Sequence, residues 1–281
     1  MHLKNYLNSF KVKKTFWYTL TVDYIFFVIF TLIFATFGAY VQRKSYTLTG
    51  GKSPAEIQQL MLASPEQAAV FLTQVKSFLL FIIVGAIILI TVSLLLYSVS
   101  RALIWYKLNN KKLTKKNYWR WNALNLTLIF PLFIFAIAFL IIKLLTSLLL
   151  EFFLTINLQF YYANTTFVEF TTTIFNGLVS FFLALFIIIF IFLFYQSYTH
   201  NNKVWVSIGS AFGLYKKKWK QIWVILLFGL LTGVILNLIT YPLKQLFIYN
   251  PVISMILQLV VGVLFINWLR LYLFKTISHE H

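Results

Sequence analysis

Apolar residues in this chain do not alternate with polar ones, nor do they form a stripe along otherwise polar helices. They come in unbroken runs, at residues 16–40, 77–100, 123–143, 174–196, 221–241 and 251–274. Each run is nearly free of charge and about 20 residues or longer, the length that crosses roughly 30 Å of hydrocarbon at 1.5 Å per residue. Inside a bilayer every backbone N–H and C=O must find its partner within the protein, which restricts spanning structures to helices and closed barrels. A barrel would show segments of about ten residues with alternating polarity, whereas residues 181–194 are apolar on every side. The pattern therefore predicts an all-α, polytopic transmembrane helical bundle of about six spans, forming a single transmembrane domain over residues 1–281. The first run is also too long for the apolar core of a cleaved signal peptide, about 7 to 15 residues, and reads as a retained span.

Composition agrees, with 60% hydrophobic and 11% charged residues, against roughly 45–50% and 25% in soluble domains. A net charge of +18 would suggest nucleic acid in a soluble protein, but in a membrane protein its placement is read first. With the amino terminus cytoplasmic, all of the 24 Lys and Arg residues except Arg43, Lys44, Lys52, Lys76, Lys143 and Lys244 fall on the inner side. The positive-inside rule then places both termini in the cytoplasm of a cell spanned by a multi-pass protein of the cell membrane, and no nucleic-acid partner is expected. All eight tryptophans stand at inner span ends or in inner loops, the headgroup level that their amphipathic rings favour. Glu56, Glu66, Glu151 and Glu169 fall outside.

The inner segments echo one another. Lys13, Lys14 and Trp17 are matched by Lys115, Lys116 and Trp119, and by Lys217, Lys218 and Trp219, the tryptophans standing 102 and 100 residues apart. Three repeated helical hairpins would produce this pattern; so would positive-inside placement and aromatic anchoring acting without ancestry. In the long outer loop, residues 41–76, two capping boxes open at Ser53-Pro54 with Glu56 and at Ser64-Pro65 with Gln67. The second is expected to run without a break into span two, so that the helix protrudes on the outer side. Residues 199–220 carry Ile208, Phe212, Tyr215 and Trp219 at helical spacing, as for a helix lying in the inner headgroup layer.

Candidate chemistry is sparse. Cysteine is absent, which excludes disulfides, thiolate nucleophiles and zinc sites built on sulfur. Asp23 lies about one and a half turns inside span one, where a carboxylate costs a few kcal/mol unless it faces water or a partner. It either pairs with a cytoplasmic lysine or caps a neighbouring helix, or it handles a proton or cation. Lys143 and Glu151, with Ser147 between them, share a helix face at the outer end of span three. They form a polar outer pair, or else the lysine snorkels and the glutamate sits in water. Asn125, Asn176, Asn237, Gln258 and Asn267 are amides in or near spans, suited to interhelical hydrogen bonds or to a solute path. Gly229 and Gly233 form a small-xxx-small pair that permits close helix approach, including that of a second copy, and Pro131 is placed to kink span three. Asn164 with Thr165 and Thr166 makes a glycosylation acceptor, and His279, Glu280 and His281 form a short metal-capable tail. No His-Glu-x-x-His helix, phosphate loop or nucleophile elbow occurs, and no span contains histidine. Neither enzyme chemistry nor a cofactor is expected.

The stretch Ser207, Ile208, Gly209, Ser210, Ala211, Phe212, with Lys216 and Trp219 just before a span, resembles a broad set of six-span membrane proteins. That set includes the membrane domain of some glycerophosphodiester phosphodiesterases, where a Ser-hydrophobic-Ala-Phe segment with a following lysine precedes a transmembrane hairpin. The resemblance covers about the last third of the chain and implies a fold more than an activity. With no soluble phosphodiesterase domain present, it carries over no catalytic residue.

The sequence thus points first to a non-enzymatic membrane component that engages anionic lipid, or a protein partner or second copy, through Lys13, Lys14, Lys115, Lys116, Lys216, Lys217 and Lys218 with Trp119 and Trp219. Each basic residue near an anionic surface is worth roughly 1 kcal/mol. The alternatives are a small transporter or channel lined by Asp23, Asn237 and Asn267, or a membrane subunit of a larger complex.

Overall fold

The structure, a computed structural model, describes residues 2–10, 14–155, 165–247 and 249–278. Among these residues there are nine helices and no strand: α1 (His2–Ser9), α2 (Lys14–Thr49), α3 (Pro54–Ala63), α4 (Pro65–Leu108), α5 (Lys115–Thr155), α6 (Thr165–Asn201), α7 (Val204–Lys217), α8 (Trp219–Leu246) and α9 (Pro251–Ser278). Six of them, α2, α4, α5, α6, α8 and α9, are long and apolar enough to cross a membrane. The protein is an all-α, polytopic helical bundle. A short helix precedes the first and third hairpins, α1 before α2 and α7 before α8, while α5 opens directly at Lys115.

Helix ends follow the sequence signals closely. Gly50 and Gly51, at φ 58° and 75°, close α2 in the left-handed region that glycine occupies without penalty. At the start of α3, the Glu56 N–H donates to Ser53 Oγ (3.4 Å) and the Ser53 N–H to Glu56 Oε2 (2.6 Å), a complete capping box with Pro54 in the first turn. These hydrogen bonds from the Ser53 backbone and side chain hold the Glu56 carboxyl below its usual range. At the second start, the Gln67 N–H donates to Ser64 Oγ (3.4 Å), and α4 then runs unbroken from Pro65 to Leu108, as expected. With 36 and 44 residues, α2 and α4 measure about 54 and 66 Å, well beyond the roughly 30 Å of hydrocarbon. Pro131 lies inside α5, which continues through it.

The chain divides into two compact units, residues 22–101 and residues 1–21 with 102–281. In the first, α2 and α4 meet through aromatic side chains: Phe26 lies 5.7 Å from Tyr97, Tyr40 lies 5.2 Å from Phe81, and the Phe37 ring covers Gly85. Many apolar side chains of this hairpin are exposed, among them Ile25, Leu32, Leu80 and Ile87.

The larger unit holds its core at the basic end, where the α4–α5 and α6–α7–α8 connections lie. Trp105, Trp121, Tyr195 and Tyr198 are fully buried, with Trp121 packed 5.3 Å from Tyr195 and 5.2 Å from Tyr198. Short α1 docks on α8 and α9: Tyr6 stacks on Phe228 at 4.3 Å, and the Trp268 Nε1–H donates to Ser9 Oγ at 2.8 Å. Trp105, Trp121 and Trp268 are therefore core residues, and only tertiary cover by neighbouring elements separates them from the exposed tryptophans at similar sequence positions.

Helix α7 folds back over the carboxyl half of α6, with Phe212 4.9 Å from Phe190 and Tyr215 5.2 Å from Phe186. Its buried residues are Ser207 and Ala211, whereas Ile208, Phe212, Tyr215 and Trp219, the apolar residues at helical spacing, are half-buried or exposed. Small side chains let the two helix backbones approach. A Ser197–Ser210 hydroxyl contact and an Asn201 Nδ2 to Ser210 Oγ hydrogen bond (3.2 Å) fix the turn.

Candidate functional site

Several polar side chains inside the spans find partners within the protein. Asp23 forms an ion pair with Arg101, the two side chains only 2% and 6% exposed, which ties α2 to α4. The Arg101 Nε–H donates to Ser100 Oγ (3.1 Å), and the guanidinium lies 5.0 Å from the Tyr97 ring centroid and 5.9 Å from that of Phe26. The sequence reading placed Arg101 among the inner loop charges. The available signal was hairpin geometry, which sets the start of one span beside the end of the next.

Asn267 is fully buried. Its Oδ1 accepts from the Thr19 hydroxyl at 2.6 Å and its Nδ2–H donates to the Phe16 carbonyl at 3.2 Å, joining α9 to α2. The Tyr195 hydroxyl donates to Asn125 Oδ1 (2.7 Å) and the Ser147 hydroxyl to Asn176 Oδ1 (2.9 Å), both between α5 and α6. Lys143 and Glu151 are exposed on α5, on either side of Ser147. Of the expected path residues, Asn237 alone lines a groove: about 210 Å³ between α6, α8 and α9, shared with Lys244, Gln258 and Phe181. There Lys244 Nζ donates to Asn237 Oδ1 at 3.0 Å. Asp23 belongs to the smaller unit and Asn267 to the larger, where Thr19 and Phe16 bond to its amide.

The Gly229 and Gly233 pair is used inside the chain. A Cβ on Gly229 would lie 3.5 Å from both Leu185 and Leu269, and one on Gly233 only 2.2 Å from the Phe181 ring. Helices α6 and α9 occupy the close approach that the sequence also offered to a second copy.

At the basic end, Lys14, Lys115, Lys116, Lys216 and Lys217 are exposed, as are Trp119 (59%) and Trp219 (43%). Lys218, expected beside them, is buried instead, and its Nζ donates to the Ile277 carbonyl at 2.8 Å. Cations stabilise the negative end of a helix, which is what Lys218 meets at the end of α9. Lys111 likewise reaches the Thr199 carbonyl near the end of α6, and Lys275 Nζ donates to the Asn8 carbonyl (3.1 Å) near the end of α1. Charge counting does not separate these anchoring lysines from free ones. Burial pushes the Tyr215 hydroxyl on α7 up to about 12. Lys13, Asn164 and the His279, Glu280, His281 tail lie outside the described residues, and among the described residues no cluster of His, Cys, Asp or Glu could hold a metal ion. Comparison with known proteins returned no matching family model, no matching curated protein and no matching solved structure.

Proposed function

We propose that this multi-pass membrane protein is a non-enzymatic component of the cell membrane, with both termini cytoplasmic, whose basic end engages anionic lipid headgroups. The observation that carries the reading is a division of labour among polar groups. Asp23, Asn125, Asn176 and Asn267 inside the spans bond to neighbouring helices, whereas Lys14, Lys115, Lys116, Lys216 and Lys217 project from the larger unit with Trp119 and Trp219 exposed beside them. At roughly 1 kcal/mol per basic residue near an anionic surface, five such lysines supply several kcal/mol, screened by salt. Exposed tryptophans at the same end add interfacial anchoring.

The test is lipid selectivity of the full chain reconstituted in bilayers that mix phosphatidylglycerol and phosphatidylcholine. Enrichment of the anionic lipid around wild type, reduced by added salt and by K115E/K116E/K216E/K217E, is expected. Equal enrichment around both proteins would overturn the reading.

A small transporter or channel is the second reading, favoured by the groove at Asn237, Lys244 and Gln258. Proton, sodium or potassium flux in proteoliposomes that is abolished by Asn237→Leu would support it over the first. In either case the chain would share the plan of the six-span proteins that residues 207–219 resemble.

A further inference from the structure

Between α2 and α4, within the unit of residues 22–101, lies a cleft of about 580 Å³ that the basic-end reading leaves unused. Its walls are Leu32, Ile33 and Phe37 from α2 and Ile88, Leu89 and Val92 from α4. The Thr36 hydroxyl, also in the lining, is turned onto the Leu32 carbonyl at 2.8 Å and presents no free polar group. Gly85 sets the depth: a Cβ there would lie 2.5 Å from the Phe37 ring, so only glycine lets that ring settle against α4.

Toward the hairpin tip the chemistry changes. Tyr40 and Phe81, 5.2 Å apart, wall this cleft and also a second of about 370 Å³ lined by Lys44, Thr47, Thr73, Gln74 and Ser77. The change falls at residue 40, where the apolar run of α2 ends and the helix continues to Thr49. Aromatic rings mark the interface depth in membrane proteins, with hydrocarbon on one side and headgroups on the other.

We propose that this composite cleft holds one anionic phospholipid, with an acyl chain between the Leu32 and Val92 walls and the phosphate at Lys44. Polarity selects this occupant. A partner helix would meet apolar surface along its length, but here the surface becomes polar and cationic at one end only, as an acidic amphiphile requires. The phosphate gains a charge-assisted hydrogen bond from Lys44, with the Ser77 hydroxyl and the Gln74 amide lining the same cleft, whereas the Thr47 and Thr73 hydroxyls are turned onto the Arg43 and Ala69 carbonyls. The chain gains apolar contact on two sides instead of one.

The experiment is native mass spectrometry of the full-length protein in mild detergent, titrated with phosphatidylglycerol or with phosphatidylcholine. Wild type should retain one phosphatidylglycerol with a preference over phosphatidylcholine that Lys44→Glu reduces about tenfold. Leu32→Trp, made at an exposed wall position, should fill the cleft and lower retention of both lipids. K115E/K116E, made in the larger unit, should leave this one lipid in place. That variant separates the proposal from the basic-end reading. Unchanged retention in both Lys44→Glu and Leu32→Trp, each monodisperse and as helical as wild type, would overturn it. So would a lipid-free dimer of the wild type, which would put a second copy in the cleft.

Discussion

Asp23 and Arg101 should behave as a unit whose halves cannot be removed separately. In Asp23→Ala, the Arg101 guanidinium stays where it is, nearly buried, with its main counter-charge gone. Breaking a buried ion pair from one side costs about 3–5 kcal/mol. Two features lower that figure here. Arg101 keeps Ser100 Oγ at 3.1 Å and the faces of Tyr97 and Phe26, and a membrane-embedded denatured state finds substitute partners for polar groups. The expected net cost is about 2–3 kcal/mol for Asp23→Ala, and similar for Arg101→Met, which takes the guanidinium from the carboxylate. The double variant D23L/R101M removes both charges and should cost less than either single change, about 1 kcal/mol or under. The measurement is a double-mutant cycle from reversible unfolding in mixed micelles, titrated with sodium dodecyl sulfate and followed by circular dichroism. Effects that add within about 0.5 kcal/mol would show that the two residues do not stabilise the protein as a pair and would refute the argument.

Asn267→Leu removes the acceptor of the Thr19 hydroxyl and the donor to the Phe16 carbonyl. The same unfolding assay should register a loss of about 1–2 kcal/mol, against under about 0.5 kcal/mol for exposed Gln258→Leu. Gly233→Ala forces the Phe181 ring to move and should cost about 1–2 kcal/mol, whereas at Gly177 a Cβ meets nothing within 4 Å, and alanine there should be neutral or stabilising by up to about 1 kcal/mol. Because burial raises the folded-state pKa of Tyr215 from 10.0 to about 12, the unfolded chain gives up that proton first as pH rises. Stability should therefore fall between pH 10 and 12. The fall should be shallower in Tyr215→Phe when unfolding is measured across that window.

Fold class was legible because it rests on one-dimensional quantities, run length and the lack of charge within runs. Capping boxes are equally local, which is why Ser53 with Glu56 and the unbroken α4 could be anticipated from a few residues each. What could not be read was the neighbour of each face. Trp119 and Trp121 differ by two positions and look alike in sequence, yet Trp119 is exposed and Trp121 fully buried, because two steps along a helix turn the side chain through most of a half circle. Apolar periodicity likewise picked out the large residues of α7, while the residues it buries fully are Ser207 and Ala211.

The site residues divide by the same logic. Asp23, Asn125, Asn176 and Asn267 could be picked out because a polar group in hydrocarbon must be accounted for, and sequence offered packing first and passage second without naming the partners. Arg101, Tyr195, Ser147 and Thr19 come from other helices and use these groups to hold the bundle together. Lysines divide in a parallel way: Lys111, Lys218 and Lys275 are drawn to carbonyls near helix ends, and five neighbours at the same end of the chain's helices stay exposed. The exposed lysines of the basic end and Lys44 beside the α2–α4 cleft are charged groups that this packing leaves exposed, and in the two proposals above each of these places meets an anionic amphiphile.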